Sequence, residues 1–208
     1  MTSMVGAPRM NRDPEFLADK KRRLFDPQVA GLNRLVEQWS AEGRPAPWVD
    51  PDSGGVCSRI LFLAESPGPA AALEYGSGII SPDNDDPTAE RFWRLSHQAG
   101  LTRGSYLNWN VVPWYVSPTG KNANATDVDG KQAQPYLHEF VSLLPGLRVV
   151  VLLGRFAQQW WLDYLDQPES PVLPVILAPH PAPGVRRSRP HFEQEILRAM
   201  VKAGRAAG

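Results

Sequence analysis

The 208-residue chain has a single cysteine, Cys57. One thiol excludes an internal disulfide, a cysteine-held iron–sulfur cluster and a four-cysteine zinc site within one chain. Neither sign of charge is in excess, because 22 Lys and Arg balance 22 Asp and Glu. Zero net charge argues against a general basic coat for nucleic acid, and leaves room for a local basic patch. No apolar run approaches the roughly 20 residues of a membrane span. Residues 1–21 also lack the apolar core of a secretory signal. These absences set the expectation of a soluble, reducing, cytoplasmic setting with no membrane partner. No internal repeat is present.

Proline (21) and tryptophan (7) are abundant. With 42% hydrophobic residues, the prolines imply long ordered loops rather than disorder. The length suits one domain with a substantial core, or one domain plus an extension. Residues 1–13 read as a loose tail. Residues 14–42 read as helical, with Leu17, Leu24, Val29, Leu32, Leu35, Val36 and Trp39 at helix-like spacing and a break at Asp26-Pro27. Residues 43–55 are rich in Pro and Gly and read as a linker. This divides the chain into an extension over 1–55 and a main domain over 56–208.

From there the pattern alternates. Strands are expected at 59–63, 106–110, 148–153 and 172–177. Helices are expected at 88–99 with Thr88 as the cap, and at 132–144, 155–165 and 192–202. Alternating strands and helices predict an α/β fold, a three-layer α/β/α sandwich around a four-stranded parallel sheet. Residues 113–130 read as a long polar loop, and long loops in compact domains tend to be functional.

Four loops carry candidate chemistry. Glu65-Ser66-Pro67-Gly68 follows the apolar run Ile60-Leu61-Phe62-Leu63-Ala64. Pro67 fixes its backbone and Gly68 admits a close ligand; a plain turn with a solvated Glu fits the spacing equally well. Asn110 ends a buried strand, and its amide offers both a donor and an acceptor, suited to the edge of a base such as uracil or to capping a loop. His180, in His180-Pro181-Ala182-Pro183, sits on a rigid loop after Val175-Ile176-Leu177-Ala178. It is a candidate acid, base or electrophile, or a structural histidine. His97 and His138 fall in expected helices and read as packing or surface residues. Arg186, Arg187 and Arg189 crowd one Gly/Pro-rich loop, as phosphate contacts or as a solvated basic run. In open α/β sheets, loops at the carboxyl ends of strands meet in one cleft.

Taken in order, these segments resemble the uracil-DNA glycosylase superfamily over residues 59–200. Leu63-Ala64-Glu65-Ser66-Pro67-Gly68 is similar to its first motif, in the Gly-Glu-Ala-Pro-Gly form of the thermophile-type branch. Asn110-Val111-Val112 matches that branch's uracil-reading Asn-Val-Val. Val149-Val150-Val151-Leu152-Leu153-Gly154 with Ala157 matches its central strand and following helix, and His180-Pro181-Ala182-Pro183 its final His-Pro-Ser-Pro. The resemblance implies that Asn110 reads uracil and rejects cytosine. It implies that His180 donates to uracil O2 as charge develops, assisted by backbone amides around Glu65 and Ser66. Pro67, Gly68 and Ile80 would line the base site. Pro183, Gly184, Val185 and the arginines would contact DNA, with Val185 pressed into the duplex behind a flipped nucleotide.

The pattern is not followed throughout. The efficient branch has an Asp where this chain has Ser66. Either Glu65 orients the water or steadies the sugar cation, or the Ser66 hydroxyl positions water itself. Ile80 stands at the position of the usual stacking Phe, with Tyr75 and Trp93 as nearby substitutes. Gly184 stands at the Leu wedge. The cluster cysteines of the thermophile-type branch are absent, so neither cofactor nor metal is expected. The implied protein is a monomeric glycosylase that releases uracil from DNA, or alternatively a protein that binds uracil-containing or abasic DNA with slow or no turnover. A third reading takes Ser66 as a hydrolase nucleophile, against which stands Ala64 in place of the first Gly of a Gly-x-Ser-x-Gly elbow.

Overall fold

Residues 14–42 form two helices, α1 (Pro14–Arg22) and α2 (Ala30–Ala41). Asp13 starts α1 by accepting hydrogen bonds from Glu15 N and Phe16 N, with Pro14 at the first helical position. The break falls in the stretch that holds Asp26-Pro27. The computed structural model describes residues 7–117, 119–166, 170–187 and 191–208. The expected loose tail is corrected over its described part. Met10–Arg12 is a 3-10 turn, and Asn11 is buried, with Nδ2 donating to Asn84 Oδ1 at 2.7 Å. The expected linker also carries structure, β1 (Trp48–Val49) and a 3-10 turn at Gly55–Cys57.

The remaining elements follow as β2 (Ile60–Ala64), β3 (Ile79–Ile80), α3 (Pro87–Gln98), β4 (Tyr106–Asn110), α4 (Asp127–Ser142), β5 (Val149–Leu153), α5 (Arg155–Leu165), β6 (Val175–Ala178) and α6 (Phe192–Ala207). The main sheet is parallel throughout, in the order β4-β2-β5-β6, and β1 pairs with β3 in a separate two-stranded ribbon.

Alternation along the strands makes two cores. Leu61, Leu63, Leu107, Trp109, Val150 and Leu152 face α2, α4 and α5. Ile60, Phe62, Tyr106, Val149, Val151 and Leu153 face α3 and α6. Burying both faces is why these strands read as continuous apolar runs, and the result is the expected α/β/α sandwich.

Some boundaries differ from expectation. Asp86, not Thr88, caps α3, accepting from Thr88 N at 2.7 Å and Ala89 N at 3.0 Å. Pro87 then occupies the first helical position, which needs no donor. α4 starts at Asp127, inside the stretch read as loop. The Thr126–Asp129 capping box launches it, in a segment whose polar residues and Gly130 hide the helical period. Gly130 is required there: a Cβ would stand 2.1 Å from Trp160 of α5. β6 begins only after Pro174, since proline has no N–H for the ladder.

Candidate active site

The first motif leaves the central strand β2, and Asn110 ends its neighbour β4. The ladder continues past both strands, because Val111 N donates to Ala64 O and Val112 N to Glu65 O, each at 2.9 Å. His180 follows β6 across β5. Its backbone is packed against Gly154, which has φ 93° and whose added Cβ would stand 3.2 Å from His180 Cβ. Only glycine combines that left-handed conformation with so close an approach. The three loops open into one cleft of about 890 Å³.

The cleft brings together Glu65, Ser66, Pro67, Gly68, Ile80, Asn110, His180, Pro183, Gly184 and Val185. Tyr75 and Trp93 are not among its lining residues: Tyr75 packs edge-on against Tyr115, and Trp93 lies against His97. Val185 is half-buried against the α3/α6 core, whereas Pro183 and Gly184 are exposed. Arg189 and the side chains of Arg186 and Arg187 lie outside the described residues.

His180 is held by a donor. The backbone N–H of Ala182 reaches its Nδ1 at 3.1 Å. With Nδ1 accepting, the neutral ring carries its proton on Nε2. Burial pushes the imidazole down to about 4, so it is uncharged at neutral pH. The group is a neutral hydrogen-bond donor.

Glu65 is half-buried. Its Oε1 accepts from Ala125 N at 2.6 Å, at the end of the long loop that precedes α4. Burial raises this carboxyl, and the Ala125 N–H opposes the rise in part. Ser66 makes no hydrogen bond to His180 among the described residues, so the nucleophile reading lacks its base. Asn110 is 5% exposed. Its amide has no hydrogen-bond partner among the described residues, leaving both donor and acceptor for a ligand.

Several cleft residues carried no local signal in the sequence. Phe62 and Phe92, packed edge to face at 5.0 Å between centroids, form an apolar part of the lining. Asn108 lies on the same face of β4 as Asn110, and its buried Oδ1 has no partner. Arg91 of α3 stands behind the His loop. Its Nη1 donates to Pro181 O at 2.6 Å and its Nε to Glu193 Oε1 at 2.7 Å. Among the described residues no group of three His, Cys, Asp or Glu is gathered to hold a metal.

The arrangement stabilises negative charge at Nε2, presents an amide to a planar polar edge, and holds a carboxylate in the same cleft. Among solved structures, the chain resembles SMUG2 of Pedobacter heparinus at 16% identity and a TM-score of 0.50, over 72% of this chain and 75% of that one. It also resembles a solution structure of a proposed uracil DNA glycosylase from Methanosarcina acetivorans at 18% identity and a TM-score of 0.42, over 71% and 92%. No curated protein matches its sequence. The family model of the uracil DNA glycosylase superfamily matches residues 51–201, which span all four main strands and every loop of the cleft. By that match the chain belongs to the uracil DNA glycosylase superfamily.

Proposed function

We propose that the protein is a monofunctional glycosylase that hydrolyses the N-glycosidic bond of deoxyuridine in DNA, in base excision repair. The observation that carries the reading is the neutral His180, with its Nδ1 occupied by Ala182 N–H and its Nε2–H available to the cleft it shares with the unpartnered Asn110. Family membership supports a glycosylase activity.

Asn110 pairs with the donor–acceptor edge of uracil. Cytosine would oppose an amino group to the donor and leave it unpaired. The bond between base and C1′ breaks with its electron pair going to the base. The charge gathers at O2, where His180 donates a preorganised hydrogen bond without giving up its proton. The sugar becomes cationic. Water adds at C1′, held by Glu65, whose raised pKa makes it the better acceptor of the water's proton. The uracil anion takes up the proton that Glu65 returns through solvent, so the products are uracil and an abasic site. No lysine–sugar imine forms, and no metal or cofactor enters. Phe62 and Phe92 flank the base on its apolar side, beside Ile80. Pro183, Gly184, Val185 and the arginines 186, 187 and 189 meet the DNA, and the protein acts as a cytoplasmic monomer.

Single-turnover assays on uracil-containing single- and double-stranded oligonucleotides test this. Uracil is released, and His180→Ala and Asn110→Ala each slow release about 100-fold or more. Tight binding without release would replace the proposal with the DNA-binding alternative, which Ser66 in place of the efficient branch's Asp, and Ile80 in place of the stacking Phe, favour.

A further inference from the structure

One wall of the cleft is built by residues the family model matches but held in large part by residues it does not. The wall runs from Ile80 to Asp86, and Ile80, Ser81, Pro82, Asn84, Asp85 and Asp86 all line the cleft. The matched segment begins at residue 51.

Two routes tie the wall to the first fifty residues. The first passes through the backbone. Asn33 of α2 is fully buried, donates to Leu24 O and Val49 O, and accepts from Val49 N at 2.8 Å. That fixes β1, and β1 pairs with β3, whose last residue is Ile80. The second is ionic. Lys20 of α1 is 0% exposed, and its Nζ donates to Asp83 at 2.6 Å, to both oxygens of Asp50 at 3.0 Å and to Ser81 Oγ at 3.1 Å. Arg103 reaches Asp50 and Asp83 from the foot of β4. Asn11 adds its bond to Asn84 and a backbone N–H to Asp83 O at 2.9 Å.

A buried ion cluster is poor evidence for net stability, since desolvation offsets its attraction, but its geometry is specific. Burial works against the charge on Asp50, yet Lys20 and Arg103 outweigh it and hold the carboxyl below its usual range.

We infer that residues 11–50 brace the base-binding cleft, with Lys20 as the positioning residue that fixes the Ile80–Asp86 wall against the base. Lys20 touches no substrate. It acts through Asp83 and Ser81. The activity readout rests on the glycosylase reading; a second readout does not.

The experiment compares wild type, Lys20→Met, Lys20→Arg and Asn11→Ala by hydrogen exchange and by single-turnover uracil release. In Lys20→Met, exchange accelerates across residues 77–86 while β2 and β5 keep their protection. Release slows about tenfold or more, because the wall no longer holds the base in line. Lys20→Arg recovers part of both. Asn11→Ala gives a milder form of the same pattern, about threefold in rate, and decides the matter if Lys20→Met fails to fold. Unaltered exchange at 77–86, or an even acceleration over the whole sheet with the rate unchanged, overturns the brace. A wild type that releases no uracil defeats the proposed function instead and leaves the exchange pattern to judge the brace.

Discussion

At His180, position follows from a rigid loop and protonation state from burial. The Pro-flanked turn in the sequence marks the residue. Its tautomer depends on the N–H of Ala182 two positions on, and its depressed pKa on neighbours that the chain supplies from afar. The folded-state value of about 4 lies below the ordinary 6.5, so between them the unfolded chain holds the additional proton. Folding stability therefore rises with pH across that window and is lost as pH falls from 6.5 toward 4. Denaturant unfolding at stepped pH should show this slope in wild type and a flatter one in His180→Gln; equal slopes would assign the proton elsewhere. Glu65 shifts the opposite way, its carboxyl raised by burial. If its ionised form supports catalysis, the acid limb of the release rate lies above the usual glutamate range. Glu65→Gln should slow release and abolish that limb while DNA binding survives. An unchanged profile would remove Glu65 from the chemistry. Asn108 and Arg91 are not legible in the sequence, because an Asn inside a strand and an Arg inside a helix look like ordinary solvated or capping residues until the fold turns the one into the cleft lining and brings partners to the other.

Elements were read more easily than their ends. β2, β4 and β5 stand out as apolar runs because both faces are covered, and α5 was legible to the residue through its apolar stripe. The first turn of α4 is not legible, because its start is written in capping chemistry rather than in hydrophobic period. The interplay of α3 with the His loop belongs to this scale as well. Arg91 links α3 to Pro181 and to the first turn of α6, 90 and 102 residues further along the chain, and its guanidinium also lies 5.2 Å over the Phe192 ring. Arg91→Ala should slow uracil release about tenfold by letting the His180 loop drift, with DNA affinity changed by less than about twofold. Arg91→Lys should restore little of the rate, since an ammonium cannot reproduce the fork. A rate equal to wild type would mean that Pro181 is held well enough by its own ring.

For the molecule as a whole, zero net charge means that affinity for a polyanion has to be concentrated locally. Arg186→Ala should weaken oligonucleotide binding and reduce the slope of log affinity against log salt by about one. An unaltered slope would leave that arginine facing solvent. The sheet order has a further consequence, for the way the chain folds. β2 is the first main strand to be made and is paired on both sides. Ile60 waits for Tyr106 on one side and, much later, for Val149 on the other. During synthesis its Ile-Leu-Phe-Leu-Ala run has no neighbour until β4 is made, about halfway along the chain, and lacks the second until β5 follows. Such distant pairings close slowly and leave an apolar strand open to wrong partners. The strand that anchors the candidate cleft is thus also a segment exposed to aggregation on the way to it.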